Sequence, residues 1–180
     1  MLFRSEVGDA FRAYMSKGIE GYCHLMSGDP ELGRRLTEEA LAYAEQIGTS
    51  FYVAVVQAYH ARCLISLGDR VGAENVCRLA IESSLAEAQG KTCAYHALAH
   101  ALHSQDSTSI EPVENALHHA ITLAKEMRYR PELARTYLSY AHMLGRWGRS
   151  RESESYRNEA VRMFRDMGMD GSATTSGLGA

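Results

Sequence analysis

The chain is expected to be all-α, a right-handed α-solenoid of about four antiparallel helix pairs, and three features of its 180 residues predict this. Alanine falls at Ala40, Ala80, Ala120 and Ala160, one every 40 residues. Nineteen residues before each stands another small residue, Gly21, Ala61, Ala101 and Ala141; one residue after each stands an aliphatic one, Leu41, Ile81, Ile121 and Val161. Glycine opens the turn inside a pair at Gly28, Gly68 and Gly148, with Thr108 in the third place. Small, aliphatic and turn columns in one register mark stacked helix pairs, none of which can bury its apolar face alone.

Taken in order, the first helices of the pairs are expected at Glu6–Met26, Ser50–Leu67, Lys91–Ser104 and Pro131–Leu144. The second helices are expected at Pro30–Ile47, Arg70–Gln89, Glu111–Arg128 and Arg149–Met167. Apolar residues recur at three- and four-residue spacing, as in Val53, Val56, Cys63 and Leu64, with Tyr59 at the edge of that face and His60 interrupting it. Asp29 is placed to cap the helix that Pro30 begins, because proline's missing N–H is harmless at the first position. Asp69 is placed likewise after Gly68, and Pro131 again marks a helix start. The turn 105–109 is longer, polar and without glycine, which predicts a mobile loop. Ala141 is expected to face Ala160, because antiparallel helices approach closest where both side chains are small.

The helical repeats are assigned to residues 6–170, after a candidate non-native leader, 1–5, in which Leu2-Phe3-Arg4-Ser5 matches a translated sequencing adapter. The small polar residues 171–180 are expected to form a flexible tail. With no polar-faced capping helix after the fourth pair, the last helix is expected to expose Val161 and Phe164.

Composition narrows the function classes. The net charge is -3, its signs interspersed, so no block of like charge suggests direct nucleic-acid or membrane binding. Apolar runs such as 53–56 fall far short of the roughly 20 residues a spanning helix needs. No secretory segment precedes the first helix, and a soluble, cytoplasmic chain is expected. Cys23, Cys63, Cys77 and Cys93 form no CxxC pair and are expected to be small buried thiols.

The columns resemble the tetratricopeptide repeat. Its small first-helix residue maps to Gly21, Ala61, Ala101 and Ala141, and its later second-helix alanine to Ala40, Ala80, Ala120 and Ala160. Its earlier second-helix alanine survives only as Ala73 among Gly33, Ala73, Val113 and Ser153. The early tryptophan is absent, its places holding Lys17, Gln57, Ala97 and Tyr137. The unit is 40 residues, against the family's roughly 34. This long form resembles repeats of bacterial cyclase-linked and maltose-regulator-type ATPase signalling proteins. The stretch 130–138, then Gly145 to Gly148, then 164–170, is especially similar to the C-terminal repeats of the cyclase-linked group. No GxxxxGK[ST] loop or cyclase domain accompanies it.

The resemblance implies that the first helices line a concave groove. Its positions map to Met15, Ile19, Tyr22, Met26, Tyr59, Arg62, Tyr95, Leu102, Arg135, His142 and Arg146. Tyrosine, methionine and arginine there suit a peptide of acidic and apolar character. The carboxylate-clamp pattern of chaperone-binding members is missing, since Gly18, Tyr22, Ala58 and Arg62 occupy its places. The expected function is protein–protein interaction through this groove, in the regulatory or scaffolding part of a bacterial signalling or transcription regulator. One alternative is homo-oligomerisation through the uncapped C-terminal repeat. A second is a metal-responsive sensor using His60, His96 and His100, the last two lying at i, i+4 on one helix face. No serine, histidine and acid are singled out as a catalytic set, no GxSxG elbow is present, and neither an enzyme nor a cofactor is expected.

Overall fold

Residues 3–83, 85–103 and 110–169 are described by a computed structural model, and among them the chain is entirely helical. The eight helices are α1 (Phe3–Met26), α2 (Pro30–Gln46), α3 (Val53–Ser66), α4 (Arg70–Glu82), α5 (Ala88–Leu102), α6 (Glu111–Glu126), α7 (Arg130–Arg146) and α8 (Ser150–Asp166). The turn 105–109 and the tail 171–180 lie outside the described residues.

The local chemistry starts α2 and α4 where it was expected to. The Asp29 carboxylate accepts from the Leu32 N–H at 3.0 Å, and Asp69 from the Gly72 N–H at 2.9 Å. Each bond satisfies one of the free N–H groups of a first turn. Gly28, Gly68 and Gly148 have φ of 89°, 89° and 78°, a left-handed turn that favours glycine. The turn after α2 repeats the device at Gly48 and the turn after α8 repeats it at Gly168, while Arg128 adopts φ 55° in the same role after α6.

α1 starts at Phe3 rather than Glu6 and α3 at Val53 rather than Ser50, and the junction of α4 and α5 departs most from expectation. α4 ends at Glu82 rather than Gln89, and α5 begins at Ala88 rather than Lys91. Ser83 turns the chain: its Oγ accepts from the Leu85 N–H at 3.3 Å and its carbonyl accepts from the Ala86 N–H at 3.2 Å. A serine turn carries no glycine or proline to announce it.

Packing follows chain order. Each helix packs on the next, and α1, α3 and α5 also pack on one another in succession, with a lighter contact from α5 to α7. The second helices α2, α4, α6 and α8 make no comparable contact among themselves. The small residues sit where backbones come closest. A Cβ on Gly33 would lie 2.7 Å from the Gly21 carbonyl oxygen, and one on Gly90 would lie 2.5 Å from the Ala54 Cβ. Ser153 Oγ donates to the Ala141 carbonyl at 2.7 Å.

The small first-helix column therefore meets Gly33 and Ser153, and the expected contact of Ala141 with Ala160 is corrected. Two residues 12 apart across a tight turn are at the level where the pair's axes approach. Ala40 and Ala80 serve the next junction: Ala40 clusters with Tyr14 and Val56, and Ala80 with Ala54, Ala58, Cys93 and Ala94.

Phe164 is 1% exposed, inside the largest core cluster, and Val161 is half-buried. The expectation of an apolar exposed face on the last helix is thus overturned. Arg151, Glu152, Glu154, Arg157, Arg162 and Arg165 make the solvent side of α8 charged. Of the cysteines, Cys63, Cys77 and Cys93 are buried as expected, whereas Cys23 is exposed.

Candidate functional site

The expected groove residues divide into three sets. On α1, Met15 is half-buried against Tyr14, Ala40 and Val56, while Ile19 and Met26 are exposed. Tyr22 stacks on Tyr59 of α3 with ring centroids 4.3 Å apart. The Arg62 guanidinium lies 5.8 Å from the Tyr22 ring centroid, and its Nη1 donates to the Tyr22 hydroxyl at 3.3 Å. Tyr22, Tyr59 and Arg62 form one aromatic and cationic cluster across α1 and α3, its rings half-buried and its guanidinium buried.

The second set is buried. Arg62 is only 5% exposed, so it belongs to the interior more than to a groove lining. Its Nη2 pairs with Oε1 of Glu132, on the first turn of α7, at 2.8 Å. His96 of α5 places Nδ1 2.7 Å from both that carboxylate oxygen and Arg62 Nη2. Arg135 reaches the other Glu132 oxygen at 3.3 Å. Ser139 Oγ then lies 2.8 Å from His96 Nε2 and 3.0 Å from His100 Nε2. A continuous polar network thus runs from Tyr22 on α1 to Ser139 on α7.

Its charge states follow from its contacts. Burial opposes the charge on Glu132, but the Arg62 guanidinium and the His96 hydrogen bond win and hold it well below the usual carboxylate range. Burial also opposes charge on Arg62, and Glu132 outweighs it, keeping the guanidinium protonated. Burial first, then Arg62, push His96 down; burial, then His96 and Arg62, push His100 well down. The network is an ion pair flanked by neutral imidazoles.

Ser139, His96 and Glu132 stand in the order of a hydrolytic triad, a meeting that the sequence did not reveal. Two features work against that chemistry. Arg62 Nη2 competes for the same His96 Nδ1 that must donate to the acid. Ser139 also sits within α7, where backbone N–H groups are spent on the helix and cannot hold an oxyanion. A buried ion-pair network accounts for the same distances, although Arg62 Nε has no hydrogen-bond partner among the described residues.

The third set falls apart or lies at the far end. Tyr95 stacks on His119 of α6, centroids 4.9 Å apart, so its ring packs on its own partner helix instead of joining Tyr22 and Tyr59. Leu102 is half-buried on the main core. His142 and Arg146 are exposed near the end of α7. The three candidate metal ligands are engaged separately. His60 Nδ1 meets Thr37 Oγ1 at 3.0 Å, whereas His96 and His100 share Ser139. Among the described residues no three histidine, cysteine or acidic side chains are grouped to hold a metal ion.

Sequence reading missed Glu132 and Ser139. Glu132 looked like an ordinary acid in a helix's first turn, and its partner Arg62 is 70 residues away. The fold and the site define an all-helical protein with a polar network tying its first helices together. No protein-family model and no curated protein matches the sequence. Among the described residues no helix is long and apolar enough to cross a membrane.

Proposed function

We propose that the chain is a tetratricopeptide-like right-handed solenoid. It presents the shared face of α1, α3, α5 and α7 as a concave groove for a peptide or protein segment. In this reading it is the recognition part of a bacterial signalling or transcription regulator, acting in the cytoplasm. The observation that carries the groove is the packing asymmetry. First helices touch along the stack and second helices do not, as expected if the first helices stand on the inside of a curve. The Arg62–Glu132 network stiffens that face, and the Tyr22–Tyr59 stack with exposed Ile19 and Met26 supplies an apolar anchor at one end.

The test is selection of displayed peptides of roughly ten residues, enough to span four helices about 8–10 Å apart in an extended chain. Ile19→Asp and Met26→Asp, both at exposed positions, are expected to weaken selected binders at least about tenfold, or 1.4 kcal/mol. Val71→Asp on α4 serves as the control, since that residue is exposed off the four helices. Binders indifferent to the first two variants would sink the proposal.

Self-association through the last pair has less support, because Phe164 is in the core and the solvent side of α8 is charged. A metal sensor on His60, His96 and His100 has less support still, since both ring nitrogens of His96 are engaged, and Thr37 and Ser139 engage one nitrogen each of His60 and His100.

A further inference from the structure

The C-terminal turns of α5 and α7 bring together a group of cationic and imidazole side chains, His103, His142 and Arg146, that form no ion pair among the described residues. His103 closes α5, and its ring meets the Trp147 ring edge-on, centroids 5.7 Å apart. Its Nε2 is buried and has no hydrogen-bond partner among the described residues. His142 and Arg146 lie at i, i+4 on α7 and share a face. The ion pairs of this region run elsewhere: Arg130 to Asp166, Arg135 to Glu132, and Arg149 to Glu114. From α4, Arg70 Nη1 donates to the carbonyl oxygens of His100 and His103, at 3.0 Å and 2.5 Å.

Cations at a helix C-terminus often need no explanation beyond the carbonyls they face. Here several of those carbonyls are already engaged. Arg70 takes the end of α5. At the end of α7, the N–H groups of Trp147, Gly148 and Arg149 donate to the carbonyls of Met143, Gly145 and Leu144. Among the described residues, the donors of Arg146 make no side-chain hydrogen bond or ion pair, and His103 Nε2 has no partner.

We propose that His103, His142 and Arg146 form a binding site for a tetrahedral oxyanion of the phosphate class, free or carried as a phosphoryl group on a small molecule. Such a ligand offers several acceptors at once to an arginine fork and to imidazole N–H groups. It would also relieve the crowding of like charge. Burial, Arg146, His142 and Arg70 together push His103 down. The charged and titratable groups that act on it are Arg146 and His142 from α7 and Arg70 from α4, and His103 in turn acts on His100 of its own helix. A bound anion reverses this, so binding takes up a proton and tightens as pH falls.

Trp147 is the chain's only tryptophan, so its fluorescence reports on the site directly. The full chain is titrated with sodium sulfate and inorganic phosphate, with chloride at matched ionic strength as control. Sulfate carries the pH comparison because it does not itself titrate. A saturable change is expected with both oxyanions and not with chloride. Sulfate affinity is expected to rise severalfold between about pH 8 and pH 6, the range in which imidazoles gain their charge. Arg146→Gln is expected to weaken binding about tenfold or more, and His142→Gln is the second variant; circular dichroism checks that each is folded. Tighter binding of phenyl phosphate than of inorganic phosphate marks a phosphorylated ligand, and the reverse order marks the free anion. A signal that chloride reproduces, or sulfate curves unchanged in both folded variants, would overturn the proposal.

Discussion

Removing one charge of the Arg62–Glu132 pair should cost far more than removing both. Nη2 and Oε1 are 2.8 Å apart, with residues 5% and 3% exposed. With an effective dielectric of about 20, that separation corresponds to roughly 6 kcal/mol of attraction. The desolvation penalty is several kcal/mol per ion, so the pair is close to neutral against an apolar replacement. Breaking it is another matter, because the surviving charge stays buried. Glu132→Gln is therefore expected to lower unfolding free energy by about 3–5 kcal/mol, and Arg62→Met by a similar amount. The double variant should lose much less than the sum. Urea denaturation of the four proteins at neutral pH gives the cycle, provided each unfolds in one transition. Losses below about 1 kcal/mol for each single variant, or strict additivity, would refute the reasoning.

The same network should make the fold acid-sensitive. His96 and His100 have native pKa values pushed below their unfolded ones, so stability is full above about pH 6.5 and is lost as pH falls toward the native values. Glu132 adds a loss in the same direction below about pH 4, since its native pKa is depressed. Urea midpoints should fall steadily below about pH 6.5, and His100→Gln should flatten the slope by up to about 1.4 kcal/mol per pH unit; a flat profile would contradict the burial of neutral imidazoles. Gly33→Ala should cost about 1–3 kcal/mol by thermal or urea unfolding, because its Cβ would press on the Gly21 carbonyl, a backbone atom that cannot swing aside. An unchanged melting temperature would mean that α1 and α2 separate freely.

The helix pairs were legible because their determinants are local. Asp29 and Pro30 sit together in sequence, as do Gly68 and Asp69, and each small column repeats at a constant interval. The end of α4 was not legible, since Ser83 halts it with side-chain and carbonyl bonds that any serine could make. The cluster formed by Tyr22, Tyr59 and Arg62 was partly foreseen, because their register put them on successive first helices. The depth of Arg62 was not. What buries it is Glu132 on a helix two pairs away, and a period describes what repeats, while this ion pair occurs once. Phe164 misled for a related reason. Its pattern showed an apolar face, but whether that face looks toward α7 or toward solvent depends on the rotation of α8 about its axis.

The Arg62–Glu132 bond also bears on how the chain folds in time. A stack whose units touch only their neighbours can nucleate anywhere and lengthen one unit at a time. This bond joins α3 to α7 over 70 residues of chain, passing the whole of α4, α5 and α6. Neither charge can be left dry and alone, so partly grown stacks that bury one without the other are disfavoured. Growth past α5 thus becomes an all-or-none step, which would appear as a single slow refolding phase that Arg62→Met with Glu132→Leu removes.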